Sequence, residues 1–380
     1  MKLTRYPLLI AAVSSVIAAT SVPALAQNDD LDGGRGAAHA VFVMNNNAEE
    51  NEVLAYERSD YGTLFSPRAY KTTGRGSGGL VDPLSSQGSL TLSDDHSLLF
   101  AVNAGSGNLS VFAVRGPQLQ LLDKVPTGGS EPVSVTQHGN LVYVVNGAGS
   151  SSVVGFYLRD GKLTSIPGSQ RFLSGNNVGP GSIAFSPDGK FLVVTERVTP
   201  SIDVFSVLPN GTLSAITVNK SVGAGTFAVN FDPNGTALAV ETGTGGNTSA
   251  ISSYSIQSNG TLLPISSSVP TLGAATCWDA VTPNGNFVYT SNSGTASISG
   301  YAVAGSGALT ALPGTVVGTN PSGATNLDAA ISADGKFLYT LNSGAGTIGM
   351  FAIQPAGTLT NLGTAGDLPV KGGINGIAAN

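Results

Sequence analysis

Ser186-Pro187-Asp188-Gly189-Lys190-Phe191-Leu192-Val193-Val194-Thr195-Glu196 is the stretch that decides the fold. Asp-Gly supplies the positive-φ positions of a tight hairpin, and the β-branched run after it reads as a strand. The next strand carries Phe205, and a second turn, Gly211-x-Leu213, follows it. Working outward, the same phrase returns seven times at a period of about fifty residues. The first strand of each copy ends at Asn45, Asn103, Asn146, Glu196, Thr242, Asn292 and Asn342. The aromatics of the strand after it are Tyr56, Phe112, Phe156, Phe205, Tyr254, Tyr301 and Phe351. Turn glycines follow at Gly62, Gly116, Gly161, Gly211, Gly260, Gly307 and Gly357, each with a leucine two or three residues later. A repeat of this length holds four short antiparallel strands, so the chain is predicted to be all-β, a seven-bladed β-propeller.

The ends of the chain fit this count. The first copy, Val41-Phe42-Val43-Met44-Asn45, starts on what should be a second strand, while Ile374 to Ala379 is left over after the seventh. The C-terminal segment is therefore predicted to supply the innermost strand of blade 1 and close the ring.

Composition agrees with an all-β globular chain: 51 glycines and 11% charged residues in 380. The single cysteine, Cys277, excludes an intramolecular disulfide and a Cys-x-x-Cys metal site. Residues 1–26 read as a Sec-type signal peptide, with Lys2 and Arg5, the apolar run Leu8 to Ala19, and Ala24-Leu25-Ala26 before the cleavage point. Residues 27–38 read as a flexible segment and 39–380 as one propeller domain, secreted or periplasmic. Without Lys2 and Arg5 the chain has 15 basic against 23 acidic residues, a formal charge of -8. Such a chain suits no nucleic-acid partner, and no other segment could span a bilayer as a helix. A monomer is expected. Six Asn-x-Ser/Thr sequons, at Asn108, Asn210, Asn219, Asn234, Asn247 and Asn259, read mainly as turn chemistry.

The two kinds of hairpin turn fall on one face of the ring. The loops after the Asn/Glu column and the loops leading into each innermost strand fall on the other, where the ligand site is expected. Candidates there are Glu196 as a base and Arg197 beside it; Trp278 as a wall for a planar or sugar-like ligand, with Asp279; and the partial echo Thr325-Asn326-Leu327-Asp328. Asn103 and Asn146 offer further polar contacts, and Glu131 and Glu241 are acids on the same side. The long connection Lys71 to Gly88, which includes Arg75 and Asp82, suits a lid over the channel. Trp278 as a plug of the channel is an equal alternative to Trp278 as a ligand wall. His39, His96 and His138 all lie away from that face, so acid–base chemistry would rest on carboxylates. Oxygen ligands such as Glu196 and Asn146 could hold a divalent cation, although no metal set is expected and no cofactor is required.

The segments Asp82 to Gly88, Leu99 to Ser106, Pro132 to Val135, Phe185 to Lys190 and Asn342 to Ile348 resemble the lactonase-type seven-bladed propeller family. That family includes 6-phosphogluconolactonase and carboxymuconate cyclase, and the texture is closest to its secreted bacterial members. The resemblance implies hydrolysis or isomerisation of a small sugar- or aromatic-derived lactone, with Glu196 matching a family glutamate. Where enzymatic members carry Pro-Arg-His, this chain reads Pro180-Gly181-Ser182, and Thr195 stands where they have asparagine. Arg197 would then polarise the carbonyl. The alternative is a non-catalytic envelope or extracellular propeller that binds a small molecule, a glycan or a protein.

Overall fold

The computed structural model describes Met1 and residues 39–65, 67–366 and 368–380. Apart from Met1, the segment 1–26 expected to be a signal peptide and the segment 27–38 lie outside them. Seven sheets form a seven-bladed propeller of antiparallel blades, and no helix occurs among the described residues. No helix there is long and apolar enough to cross a membrane. Blade 4 shows the common plan: Pro180–Phe185 innermost, then Phe191–Glu196, Ser201–Ser206 and Thr217–Lys220 at the rim. Blade 3 carries an additional short piece, Arg171–Phe172, paired with Ser152 and Val153.

Each repeated aromatic is a core residue. Tyr56, Phe112, Phe156, Phe205, Tyr254, Tyr301 and Phe351 are all buried between blades. Second-strand tyrosines join neighbouring blades: the hydroxyl of Tyr143 donates to the Gly211 carbonyl at 2.6 Å, Tyr289 to Gly357 at 2.7 Å, and Tyr339 to Gly62 at 2.9 Å. The last of these crosses from blade 7 to blade 1. The receiving glycines sit at positive φ, +70° at Gly211 and +82° at Gly357, where a side chain would be strained.

The ring closes as the leftover C-terminal segment predicts. Ile377–Ala379 forms the innermost strand of blade 1, pairing Ile377 with Val43, Ala378 with Phe42 and Ala379 with Val41. One residue further, the Asn380 side chain accepts from the Ala40 N–H at 2.6 Å, and the Asn380 N–H donates to the Ala40 carbonyl at 3.0 Å.

Candidate functional site in the central channel

Consecutive innermost strands meet through a ring of side-chain caps. Ser134 Oγ accepts from the Ile183 N–H at 3.3 Å, and Ser182 Oγ accepts from the Val229 N–H at 2.8 Å. Asp328 takes the same place in blade 7: one carboxyl oxygen accepts from Ala329 N–H at 2.9 Å, the other from Ile377 N–H at 3.3 Å. Asp328 therefore sits at the seam where the chain closes on itself.

The loop-face end of this channel is shut. The connection from blade 1 to blade 2 crosses it, and residues 80–88 bond to five other parts of the ring. Ser86 Oγ donates to the Val133 carbonyl of blade 3 at 2.8 Å, and Gln87 N–H to the Gly181 carbonyl of blade 4 at 2.8 Å. On blade 6 the Gln87 side-chain amide pairs with both backbone groups of Asp279, donating to its carbonyl at 2.6 Å and accepting from its N–H at 3.1 Å. The Val81 carbonyl accepts from Ser343 of blade 7 at 2.8 Å, and Asp82 accepts from Asn375 of the closing segment at 3.0 Å. The amide of Gln87 thus acts as a short extra strand on an otherwise open edge, which satisfies buried backbone groups.

Trp278 belongs to this closure. It is 1% exposed, its indole N–H donates to the Ser86 carbonyl at 2.9 Å, and its ring lies 5.1 Å from that of Phe227 in blade 5. Over the same Phe227 ring, 5.4 Å away, lies the Arg197 guanidinium. Burial lowers the Arg197 pKa, with Asp82 and Cys277 the charges acting on it in the opposite sense. Its Nε has no hydrogen-bond partner.

Below the crossover the channel widens into a cavity of about 250 Å³. Its deep end is formed by Gln87, Ser182 and Asp328, and its other end by Leu92, His96 and Ile331 beside the hairpin turns. Ser182 and Asp328 at the deep end are buried, whereas Gln87, Leu92, His96 and Ile331 are all partly exposed; with residues 80–88 crossing the loop-face end, the opening left to the cavity is beside the hairpin turns. This corrects the expected placement of the mouth. The physical reason is the crossover itself, which fills the loop-face end with backbone that pairs to four blades. His96, set aside as remote, is at the open end.

Two acids in and beside this cavity have carboxyl groups pushed well above the usual carboxylate range. Burial pushes Asp328 up to about 8, with Asp82 and Asp279 adding to the rise. Asp279 is pushed up to about 7 by burial, against a hydrogen bond at 3.0 Å from Asn230. One oxygen of Asp279 has no partner. Both folded values lie above the unfolded value near 4, so folding takes up protons between about pH 4 and 8. Their contribution to stability is complete below pH 4 and is lost as pH rises through 7 and 8, at about 1.4 kcal/mol per unit for each group. Calorimetry at pH 5.5 and pH 9 should show the lower melting temperature at pH 9, with a smaller difference in Asp328→Asn. An equal or higher melting temperature at pH 9 would contradict this assignment.

Glu196, Asn103 and Asn146 lie elsewhere. They lie at or within two residues of the ends of the second strands of their blades, fully or almost fully buried, and form latches that tie the incoming loop to the blade. Asn103 accepts from Thr72 Oγ1 at 2.6 Å and donates to Ser110 Oγ at 2.9 Å, while Asn146 accepts from Thr127 Oγ1 at 2.7 Å. Glu196 accepts from the Ser174 N–H at 2.9 Å, from Ser174 Oγ at 2.5 Å and from Thr199 Oγ1. In blade 5 the latch is Glu241, which pairs with Thr226, rather than Thr242 one residue beyond the strand. Arg75 has an exposed side chain, and its backbone bonds to Ser106 of blade 2 at 2.8 Å. The structure brings Trp278, Asp279 and Asp328 to the channel and Arg197 to its loop-face rim, but it does not bring Glu196, Asn103, Asn146 or Arg75 into the cavity. Sequence reasoning missed Gln87, Asn230 and Asp203. Only the length of the Lys71–Gly88 connection hinted at the first.

A closed seven-bladed propeller with a sealed loop face and a polar cavity opening among the hairpin turns is the class defined by this geometry. Residues 135–277, from blade 3 into blade 6, match the family described as Lactonase, 7-bladed beta-propeller, in keeping with the resemblance seen in the sequence. No curated protein matches the chain. Among solved structures it is similar to the periplasmic gluconolactonase of Pseudomonas aeruginosa, at 20% identity and a TM-score of 0.67, over 90% of this chain and 98% of that one. A protein assigned as a 6-phosphogluconolactonase from Bacteroides fragilis is similar at 20% identity and a TM-score of 0.66, over 92% of this chain and all of that one. A functionally unknown protein from Desulfotomaculum acetoxidans is similar at 15% identity and a TM-score of 0.65, over 89% and 98%. At these identities the likeness is one of fold.

Proposed function

We propose that this lactonase-like propeller binds and hydrolyses a small, uncharged lactone in the central cavity, with Asp328 as the general base. The observation that carries this reading is the composition of the cavity wall: the buried Asp328 and the half-buried amides of Gln87 and Asn230 converge there, and neither lysine nor arginine lines it. An anionic substrate would find no lysine or arginine on this wall to pair with, so a phosphorylated sugar lactone is disfavoured. A neutral five- or six-membered lactone suits a space of this size.

In the proposed step, water adds to the lactone carbonyl while Asp328 accepts its proton. The ring C–O bond then breaks, and Asp328 returns the proton to the alkoxide that leaves. With the pKa of Asp328 at about 8, the rate should rise with pH to a plateau above that value. The gluconolactonase name of a structural neighbour supports the substrate class, and the family match supports lactone chemistry. Secretion remains part of this proposal and rests on the sequence of residues 1–26 and on the periplasmic neighbour.

The test is pH-stat turnover of neutral aldonolactones and aromatic-derived lactones by the wild type, Asp328→Asn and Glu196→Gln. Asp328→Asn should lose about 100-fold or more. Loss in Glu196→Gln alone would move the base to the loop face beside Arg197, and no turnover by folded wild type would reject hydrolysis. A second reading, a non-catalytic binder, is favoured by the enclosure of Trp278 and Asp279 beneath the Ser86–Gln87 crossover. It predicts lactone or sugar binding by calorimetry without turnover.

A further inference from the structure

The latch of blade 4 differs in charge from those of the other blades. Blades 2 and 6 pair an amide with a hydroxyl, Asn103 with Ser110 and Asn292 with Ser299, both at 2.9 Å. Blade 5 pairs one carboxylate with hydroxyls, Glu241 with Ser252 at 2.6 Å and Ser268 at 2.7 Å. In blade 4 the same two places hold two carboxyl groups, Glu196 and Asp203, both fully buried. No salt bridge pairs either of them among the described residues. Arg197, next in sequence to Glu196, lies over Phe227 instead.

Asp203 supplies an independent observation. Neither of its oxygens has a donor at hydrogen-bonding geometry, although the residue is fully buried. Its polar neighbours are the Glu196 carboxyl and the Ser174 N–H, and burial followed by Glu196 pushes its pKa up to about 9. Two carboxyl groups buried together need a shared proton or a cation. The possible ligand atoms are hard oxygens: both of Asp203, Oε2 of Glu196, and the hydroxyls of Ser174 and Thr199, which contact that same oxygen. A hydroxyl that donates to a carboxylate can rotate to offer its lone pairs to an ion. Ser174 and Thr199 are also exposed on the loop face, which gives an ion and its waters a path to the buried pair.

We propose that Glu196 and Asp203, with Ser174 and Thr199, form a calcium-binding site at the loop-face end of blade 4. An all-oxygen set with two carboxylates and an irregular arrangement suits Ca²⁺ better than Mg²⁺, which demands a near-octahedral shell. Binding ties the loop at Ser174 to the second and third strands. The site is separate from the central cavity and does not depend on the chemistry assigned there.

Calorimetric melting of the purified chain at pH 7.5 in metal-free buffer, with and without CaCl₂ at about 1–10 mM, tests the proposal. Calcium should raise the melting temperature by about 3 °C or more, reversibly on chelation and beyond the effect of equal MgCl₂. Titration of CaCl₂ into the metal-free chain by calorimetry should report one ion bound per molecule. The double variant Glu196→Asn with Asp203→Ser rebuilds the amide–hydroxyl latch of blades 2 and 6, so it should fold and lose the calcium response. An absent calcium shift in the wild type or an equal shift in the double variant would overturn the site. The pair would then be held by a shared proton alone.

Discussion

Removal of residues 377–380 is expected to destroy cooperative folding of the propeller. The strand Ile377–Ala379 is only three residues long, yet Ile377 is 4% exposed and both alanines are 7% exposed. Burying the isoleucine and two alanines contributes about 3–4 kcal/mol, and the ladder to Val41–Val43 about 1 kcal/mol per hydrogen bond. The loss is larger than that sum, because truncation leaves the inner edge of His39–Met44 unpaired and strands an acceptor of Asp328. It also deletes Asn380, whose backbone carbonyl lies 3.4 Å from the otherwise enclosed Arg58 guanidinium. A propeller has no terminal cap, so an open seam exposes sheet edges that pair with other chains. The truncated chain should melt at least about 10 °C lower, or aggregate on expression, as read by calorimetry and size-exclusion chromatography. A truncated monomer that melts with the wild type would show that the closing strand is dispensable.

Trp278→Ala should have the next largest effect. Truncating a fully buried tryptophan costs about 3–5 kcal/mol, and here the cavity would separate blade 5 from blade 6 where the ring meets Phe227. The Ser86 carbonyl would lose the indole donor that holds the crossover down. Hydrogen exchange at Gln87 and Gly88 should therefore accelerate, and the crossover should become the first point of proteolytic cleavage. Trp278→Phe keeps most of the ring but not the donor, so it should cost about 1–3 kcal/mol. If Trp278→Ala leaves the melting temperature within about a degree of wild type and the crossover protected, the tryptophan does not hold the closure.

Part of the candidate site was legible from residue type and part was not. The scarcity of charge and histidine directs attention to carboxylates, and Asp279 and Asp328 do gather at the channel with raised pKa values. The glutamate in the column of asparagines was equally visible, but its surroundings were not: Glu196 faces Ser174, twenty-two residues earlier, and Asp203 on the adjacent strand. Which way a side chain points at a strand end depends on the loop that packs over it. Pairing of Pro180 with Glu196 is followed by a register shift before Ser182, and each of blades 3 to 7 has such an irregularity near the loop face. A bulge changes which residues face the channel, and the repeat pattern gives no warning of it.

What the sequence determined alone was the architecture. A phrase repeated seven times, with a turn glycine and a buried aromatic in fixed places, imposes seven equivalent blades, and a copy that begins one strand late requires the other end of the chain to complete it. These are local and periodic properties, so they can be read without knowing what touches what. Only the tertiary structure decided which end of the channel is open. That depended on residues 80–88 reaching Val133, Gly181, Asp279 and Ser343 on four different blades. Such long-range pairing is set by where the folded ring leaves backbone groups unsatisfied, a quantity that no stretch of the chain carries by itself.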